Sequence, residues 1–273
     1  MALLLHGDCL ELMKTLDDKS IDCFICDLPY GQLSTTPVSK KLHRSEPGKE
    51  HIPRNANIND RGCHWDIKID LKAFWEQVER LSKADNTPII HFCNTKFGIE
   101  LINSKPDWFR YDLVWNKERG VSFLLANKMP MKSHEMIYIF SKKGTYYNRI
   151  DIEGNFKSWK AHNTESYTRT VTESSGRNIA VENDGTHRCP LSVINIRKPN
   201  TFGHPTEKPK ELYQWLLSRY CPPGGTVLDP TAGSFNSIKV AIDLGLNAIG
   251  IEKDDTFYNK GIEYFENEDY NIE

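Results

Sequence analysis

Ile21-Asp22-Cys23-Phe24-Ile25-Cys26-Asp27-Leu28-Pro29-Tyr30-Gly31 is the stretch on which the reading of this chain turns. Its apolar, β-branched and aromatic residues up to Cys26 predict a short buried strand. The strand stops abruptly, because Pro29 cannot donate to a ladder and Gly31 permits a tight turn. A carboxylate, a rigid backbone and an aromatic ring are thereby fixed at the carboxyl end of a strand. In open α/β sheets ligands bind there. A strand that simply ends in a turn fits this stretch equally well by itself, so the rest of the chain has to decide.

With 273 residues the chain can bury a substantial core in one or two domains. A composition of 38% hydrophobic and 26% charged residues is that of a soluble globular protein. Ala2-Leu3-Leu4-Leu5 is too short for a signal segment, and no run approaches a membrane span, so an intracellular protein is expected. The net charge of −2 excludes a uniformly basic nucleic-acid binder, but the charge is uneven. Lys40, Lys41, Arg44, Lys49, Arg54 and Arg61 form a basic stretch, whereas Glu263, Glu266, Glu268, Asp269 and Glu273 make the end acidic. A local basic segment can hold phosphates while the whole molecule stays near neutral; a solvated loop fits the same charges. Cys23-x-x-Cys26 has no second pair, and its odd spacing sends the thiols to opposite faces of a strand, so buried thiols are expected and no metal site.

Upstream of the central stretch, residues 3–6 read as a strand, and Asp8 to Glu11 has the pattern of a capping box opening a helix with Leu10, Met13 and Leu16 on its apolar face. Downstream, residues 32–59 are polar, basic and aperiodic, which in a compact domain marks a functional or disordered loop. Helices are expected over 71–81 and 97–102, and strands over 88–92, 110–115 and 135–140. From 145 to 200 periodicity fades and aromatics interleave with cations, as base stacking and phosphate contact require; a surface insertion with its own small aromatic core is the alternative. Order returns with a helix opened by Lys208-Pro209, a strand over 226–229, a small-residue loop over 230–236, a helix through Val240 and Leu244, and a strand over 248–252.

Residues 226–252 are a nucleotide-type βαβ half. Small residues let the backbone approach a ligand, and the helix start offers free amides to an anionic group. Glu252, ending the second strand, is placed to accept from ribose hydroxyls. Without Gly-x-Gly-x-x-Gly a pyrophosphate cradle is poorly supported, and a nucleoside carrying one carboxylate fits better.

Both sites in this order carry a resemblance. Asp27-Leu28-Pro29-Tyr30 resembles the Asp-Pro-Pro-Tyr motif of amino-group DNA methyltransferases. Leu228-Asp229-Pro230-Thr231-Ala232-Gly233-Ser234 resembles their S-adenosylmethionine motif, and His204-Pro205-Thr206-Glu207-Lys208-Pro209 the segment before it. With the catalytic motif first and the cofactor motif last, the chain is similar to the permuted β class, N6-adenine type.

That resemblance implies an α/β, Rossmann-like S-adenosylmethionine-dependent methyltransferase fold: a mixed, mostly parallel sheet with helices on both faces and a small DNA-recognition insert. It implies a catalytic part in 1–144, a target-recognition insert in 145–200 and a cofactor-binding part in 201–273. The implied activity is methyl transfer to the N6 amine of a flipped adenine in duplex DNA; N4-cytosine methylation and a catalytically silent DNA-binding module are the alternatives. Asp27 and the Leu28 carbonyl would accept the amine hydrogens, Pro29 would stiffen the motif and Tyr30 would stack on the base. Cofactor contacts would come from Asp8 and Cys9 at the adenine, Glu252 at the ribose, and Asp229, Thr231, Gly233, Ser234 and Asn236 at the methionine end, with Asp27 a further contact and Thr206 and Lys208 near its carboxylate. Leu28 departs from the family's proline and Phe235 from its usual glycine, which puts in question the rigidity of the one motif and how closely the other approaches its ligand. Duplex DNA is the implied partner, with a homodimer and a cognate restriction endonuclease compatible with it, and no metal is required.

Overall fold

The computed structural model describes residues 1–31, 67–121, 123–160, 182–183, 185–198, 207–268 and 270. The basic stretch between Lys40 and Arg61, Thr206 and most of the motif before Lys208 lie outside them. In chain order the elements are β1 (Ala2–His6), α1 (Cys9–Met13), β2 (Cys23–Cys26), α2 (Leu71–Leu81), β3 (Ile89–Cys93), α3 (Thr95–Ser104), β4 (Phe109–Val121) and β5 (Lys132–Phe140). The short strands β6 (Ile152–Glu153), β7 (Trp159–Lys160), β8 (Glu182–Asn183) and β9 (His187–Arg188) follow, and then β10 (Val193–Asn195). The chain continues through α4 (Lys210–Tyr220), β11 (Thr226–Asp229), α5 (Asn236–Asp243), β12 (Asn247–Glu252) and α6 (Asp255–Asn267).

Eight strands form one sheet in the order β1-β12-β11-β2-β3-β5-β4-β10. All pairings are parallel except those of β5, which runs against both β3 and β4. Strands β2 and β3 are buried along their whole length, as a sheet covered on both faces demands. Phe74, Trp75, Val78 and Leu81 of α2 join α1 and α3 on one face, while Leu212, Leu216, Ile238 and Phe265 of α4 to α6 cover the other. Each fully buried side chain of this size contributes about 1.5–3 kcal/mol. Cys23 belongs to one apolar layer and Cys26 to the other, so the two thiols point away from each other as their spacing predicts.

Two neighbours at the centre of the sheet, β2 and β11, come from opposite ends of the chain. Asp22 stitches them, accepting from the Thr226 amide at 3.0 Å while also pairing with Lys83. The connection after β11 runs to β12 on one side and that after β2 to β3 on the other. A crevice opens at the carboxyl ends of strands whose connections part in this way.

The chain divides into two compact units, one of 1–147 with 193–273 and one of 148–192. The smaller unit contains two antiparallel ladders, β6 with β9 and β7 with β8, and Arg188 lies over the Phe156 ring at 4.5 Å. Val193–Asn195, within the stretch read as an insert, pairs instead with β4 at the edge of the main sheet. Only Ile194 of its three residues is buried, too faint a pattern to read as a strand. Of the acidic residues near the end, Glu263 and Glu266 lie on α6, whose N-cap Asp254 accepts from the Thr256 and Phe257 amides.

Candidate active site

A cleft of about 620 Å³ lies where β1, β2, β11 and β12 end. Its wall includes Asp8 and Cys9 after β1, Asp27 and Pro29 after β2, Lys208 before α4, Thr231, Gly233 and Ser234 after β11, and Glu252 at the end of β12. Residues 8 and 252, far apart in sequence, share this wall because β1 and β12 run side by side in register, His6 opposite Glu252.

On the β11 side a turn is fixed by buried acceptors. Asp229, 2% exposed, accepts from the Thr231 amide at 3.0 Å and from the Ser237 hydroxyl. Burial pushes its carboxyl up to about 7; those two hydrogen bonds work against the shift, and Asp27 and Glu252 reinforce it. Glu252 accepts the Gly233 amide on one oxygen and the Asp254 amide on the other, both at 2.7 Å. Burial raises its pKa too, although the amides of Asp254, Gly233 and Lys253 oppose the rise. The Thr231 hydroxyl is buried with no partner among the described residues.

Phe235 resolves the departure noted at that position. Its backbone takes the left-handed conformation, φ 57°, that glycine adopts without cost. Its ring turns into the core, fully buried, and packs on Gly250 and Gly261, where an added Cβ would come within 2.9 Å and 2.4 Å of ring atoms. The aromatic ring therefore stays out of the cleft.

On the β2 side the Asp27 carboxylate is held at both oxygens. One accepts the Tyr30 hydroxyl at 3.0 Å and the other the Lys208 ammonium. Tyr30 packs its ring on Phe97, centroids 5.0 Å apart, and burial with the Asp27 charge holds its phenol well above the usual range. Leu28 sends its side chain into the core, 1% exposed. Lys208 is itself 5% exposed and lies 4.9 Å over the Phe92 ring. Burial opposes its charge, but Asp27 and Glu135 outweigh that and raise its pKa.

Not every predicted residue reaches the cleft wall. Asn236 turns inward, its amide donating to Glu207 at 2.5 Å and to the Lys208 carbonyl at 3.3 Å, so it fixes the segment that carries Lys208. Asp229 shapes the turn from beneath. Asp8 caps α1 through the Leu10 amide at 3.0 Å and pairs with Lys253, while Glu11 pairs with Lys14. Cys9 is buried, which pushes its thiol up to about 12. Sequence reasoning passed over Glu135 and Lys117, which meet from β5 and β4 beside Lys208, and Tyr213 on α4. Glu135 closes the polar start of its strand, Lys132-Ser133-His134-Glu135, so nothing in the sequence set it apart.

Comparison with known proteins identifies the family. The N6_N4_Mtase family model, described as DNA methylase, matches residues 21–263. The chain belongs to this DNA methylase family. Over 263 residues it is 26% identical to the Type II methyltransferase M.HinfI of Haemophilus influenzae, an alignment covering 93% of this chain and 65% of that protein. This methylase chain thus spans only 65% of that relative's length. Among solved structures, the M1.HpyAVI–SAM complex is 18% identical with a TM-score of 0.56, covering 97% of this chain and all of that one. The PvuII DNA methyltransferase, cytosine-N4-specific, is 13% identical with a TM-score of 0.62, covering 97% and 86%. These neighbours show that the sheet is that of a methyltransferase fold.

Proposed function

We propose that this DNA methylase transfers the methyl group of S-adenosylmethionine to the exocyclic N6 amine of an adenine flipped out of duplex DNA, with its motifs in the permuted β-class order. The observation that carries the reading is the Asp27 carboxylate on the wall of the cleft, held by Tyr30 and Lys208 at the carboxyl end of β2.

The cleft suits the cofactor. Glu252 offers a carboxylate, Thr231 a buried hydroxyl with no partner among the described residues, and Gly233 a backbone approach at φ 53° that a side chain would oppose. Asp8 and Cys9 would border the adenine, Glu252 the ribose, and Thr231, Gly233 and Ser234 the methionine end; Thr206 is proposed beside them. Bound there, S-adenosylmethionine supplies a methyl group on a sulfonium.

The chain's own task is to make an amine nucleophilic. The lone pair of an adenine amine is delocalised into its ring. Asp27 and the Leu28 carbonyl, accepting its two hydrogens, favour a pyramidal nitrogen that can attack in line. As the C–N bond forms and the C–S bond breaks, positive charge grows on that nitrogen opposite the Asp27 carboxylate, and one proton leaves to solvent. Tyr30 would cover the flipped base, whose extrusion costs about a few kcal/mol. Residues 145–200 are proposed to read sequence, and the basic stretch around Lys40 to Arg61 to hold the DNA backbone. A second copy of the chain and a cognate endonuclease are compatible partners. The same acceptors would serve a cytosine amine; the aspartate heading the motif is what supports adenine.

Asp27→Ala tests the assignment. Methyl transfer should fall by about 10²–10³-fold or more while cofactor affinity stays within a few-fold, since the mutation removes an acceptor made for the reacting nitrogen. Equal loss of both would remove Asp27 from that role.

A further inference from the structure

We propose that Glu135 is a second seat for the Lys208 ammonium, to which it shifts when the target amine takes the Asp27 carboxylate. The inference rests on the amine-transfer reading of Asp27 and adds a positioning residue to it.

Both Asp27 oxygens are occupied in the structure, by the Tyr30 hydroxyl and by Lys208. An incoming amine must therefore share or displace a donor, and Tyr30, locked against Phe97, is the less movable one. Lys208 cannot simply retreat, because it is 5% exposed and a buried ammonium without a partner is strongly disfavoured. Glu135 supplies the alternative. Its Oε1 pairs with Lys117, itself 6% exposed, while its Oε2 is buried, lacks a hydrogen-bond partner among the described residues, and stands 3.6 Å from the Lys208 Nζ. That separation is just beyond a hydrogen bond, so a small side-chain movement completes it.

The surroundings keep this seat negative. Burial works against the Glu135 charge, but Lys208, Lys117 and Lys198 together hold its pKa down at about 2. Among the described residues, the other ionisable groups facing the cluster include Asp27 and Tyr30 after β2, Cys93 on β3, Lys132 on β5, Glu207 before α4 and Tyr213 on α4. Neither thiol nor phenol competes for the ammonium, since burial pushes Cys93 up to about 12 and Tyr213 well above its ordinary range. Lys117, neutralised on the opposite oxygen, stops Glu135 from turning away.

The direct experiment follows Lys208 by NMR of ¹³Cε-labelled lysine, assigned with Lys208→Met, in full-length Asp27→Ala. With its first seat removed, Lys208 should stay protonated throughout the range in which an ordinary lysine is charged, because Glu135 receives it. Loss of its proton below that range in the variant would overturn the proposal. This readout needs no substrate, so its failure is distinct from a wild-type protein that transfers no methyl to DNA. The second measurement is single-turnover methylation by Lys117→Met/Glu135→Gln, which removes the second seat together with the ammonium it neutralises. Transfer at about pH 7 should drop by roughly tenfold or more, with cofactor affinity kept, and the loss should shrink as rising pH discharges Lys208. A wild-type rate, or a loss that does not change with pH, would overturn the proposal.

Discussion

His91 makes a contribution to stability that turns unfavourable as the pH falls. It sits on β3, next to the strand that delivers Asp27, among Phe74, Trp75 and Phe140, with ring centroids 5.6, 5.4 and 5.7 Å away. It is fully buried, and neither ring nitrogen has a partner among the described residues. Burial lowers its pKa from 6.5 to about 3. Between those two values the unfolded chain binds a proton that the folded chain refuses, so His91 costs stability as pH falls through that window. At about pH 5 the cost is about 2 kcal/mol relative to neutral pH. Asp229 acts in the opposite sense: its folded pKa of about 7 lies above the ordinary 3.8, so the folded state takes that proton first and gains stability as pH falls. The wild-type profile therefore mixes two trends, and the comparison that isolates His91 is with His91→Phe. Denaturant melts of both proteins at about pH 7.5, 6 and 5 should show a stability gap that moves by about 2 kcal/mol in favour of the variant. Any overpacking by the larger ring shifts the gap equally at every pH. A gap that stays constant from neutral pH to pH 5 would refute the reasoning.

Other predictions follow from the site and its supports. Glu252→Gln should weaken S-adenosylmethionine binding, measured calorimetrically, by about 10–100-fold, as expected for the loss of charge-assisted hydrogen bonds; unchanged affinity would remove Glu252 from the site. Gly261→Ala places a methyl 2.4 Å from the Phe235 ring, and should lower stability by about 1–3 kcal/mol in a denaturant melt. Phe235→Gly keeps the left-handed backbone but empties a fully buried ring site, so about 3–5 kcal/mol should be lost; a small loss would mean that the ring is not a core element.

Much of this was legible because it is local. The run ending at Cys26, the helix over Leu71–Leu81 and the strand over Thr226–Asp229 have apolar patterns that tertiary contacts do not override. The pairing of the two central strands, β2 with β11, was not legible, because it joins segments some 200 residues apart. What escaped depends on contacts distant in sequence. Helix α6 was hidden because its apolar face is broken by Gly261, a glycine whose purpose is visible only once the Phe235 ring lies on it. Strand β10 carries a single buried residue. Asn236 resembles a ligand residue in the motif, yet it faces Glu207 and Lys208, and only the packing of α4 beside α5 shows that. Glu135 and Lys117 were missed for a similar reason: paired buried charges on neighbouring antiparallel strands look, in sequence, like ordinary surface residues.

We propose that Asp27 and the cleft at the ends of β1, β2, β11 and β12 transfer methyl groups to adenine amines in DNA. Nucleoside mass spectrometry of mixed-sequence duplex DNA, incubated with the protein and S-adenosylmethionine, tests it most directly. N6-methyladenine should form, and should be absent with Asp27→Ala. N4-methylcytosine, or no methylated base from a protein shown to bind the cofactor, would contradict it.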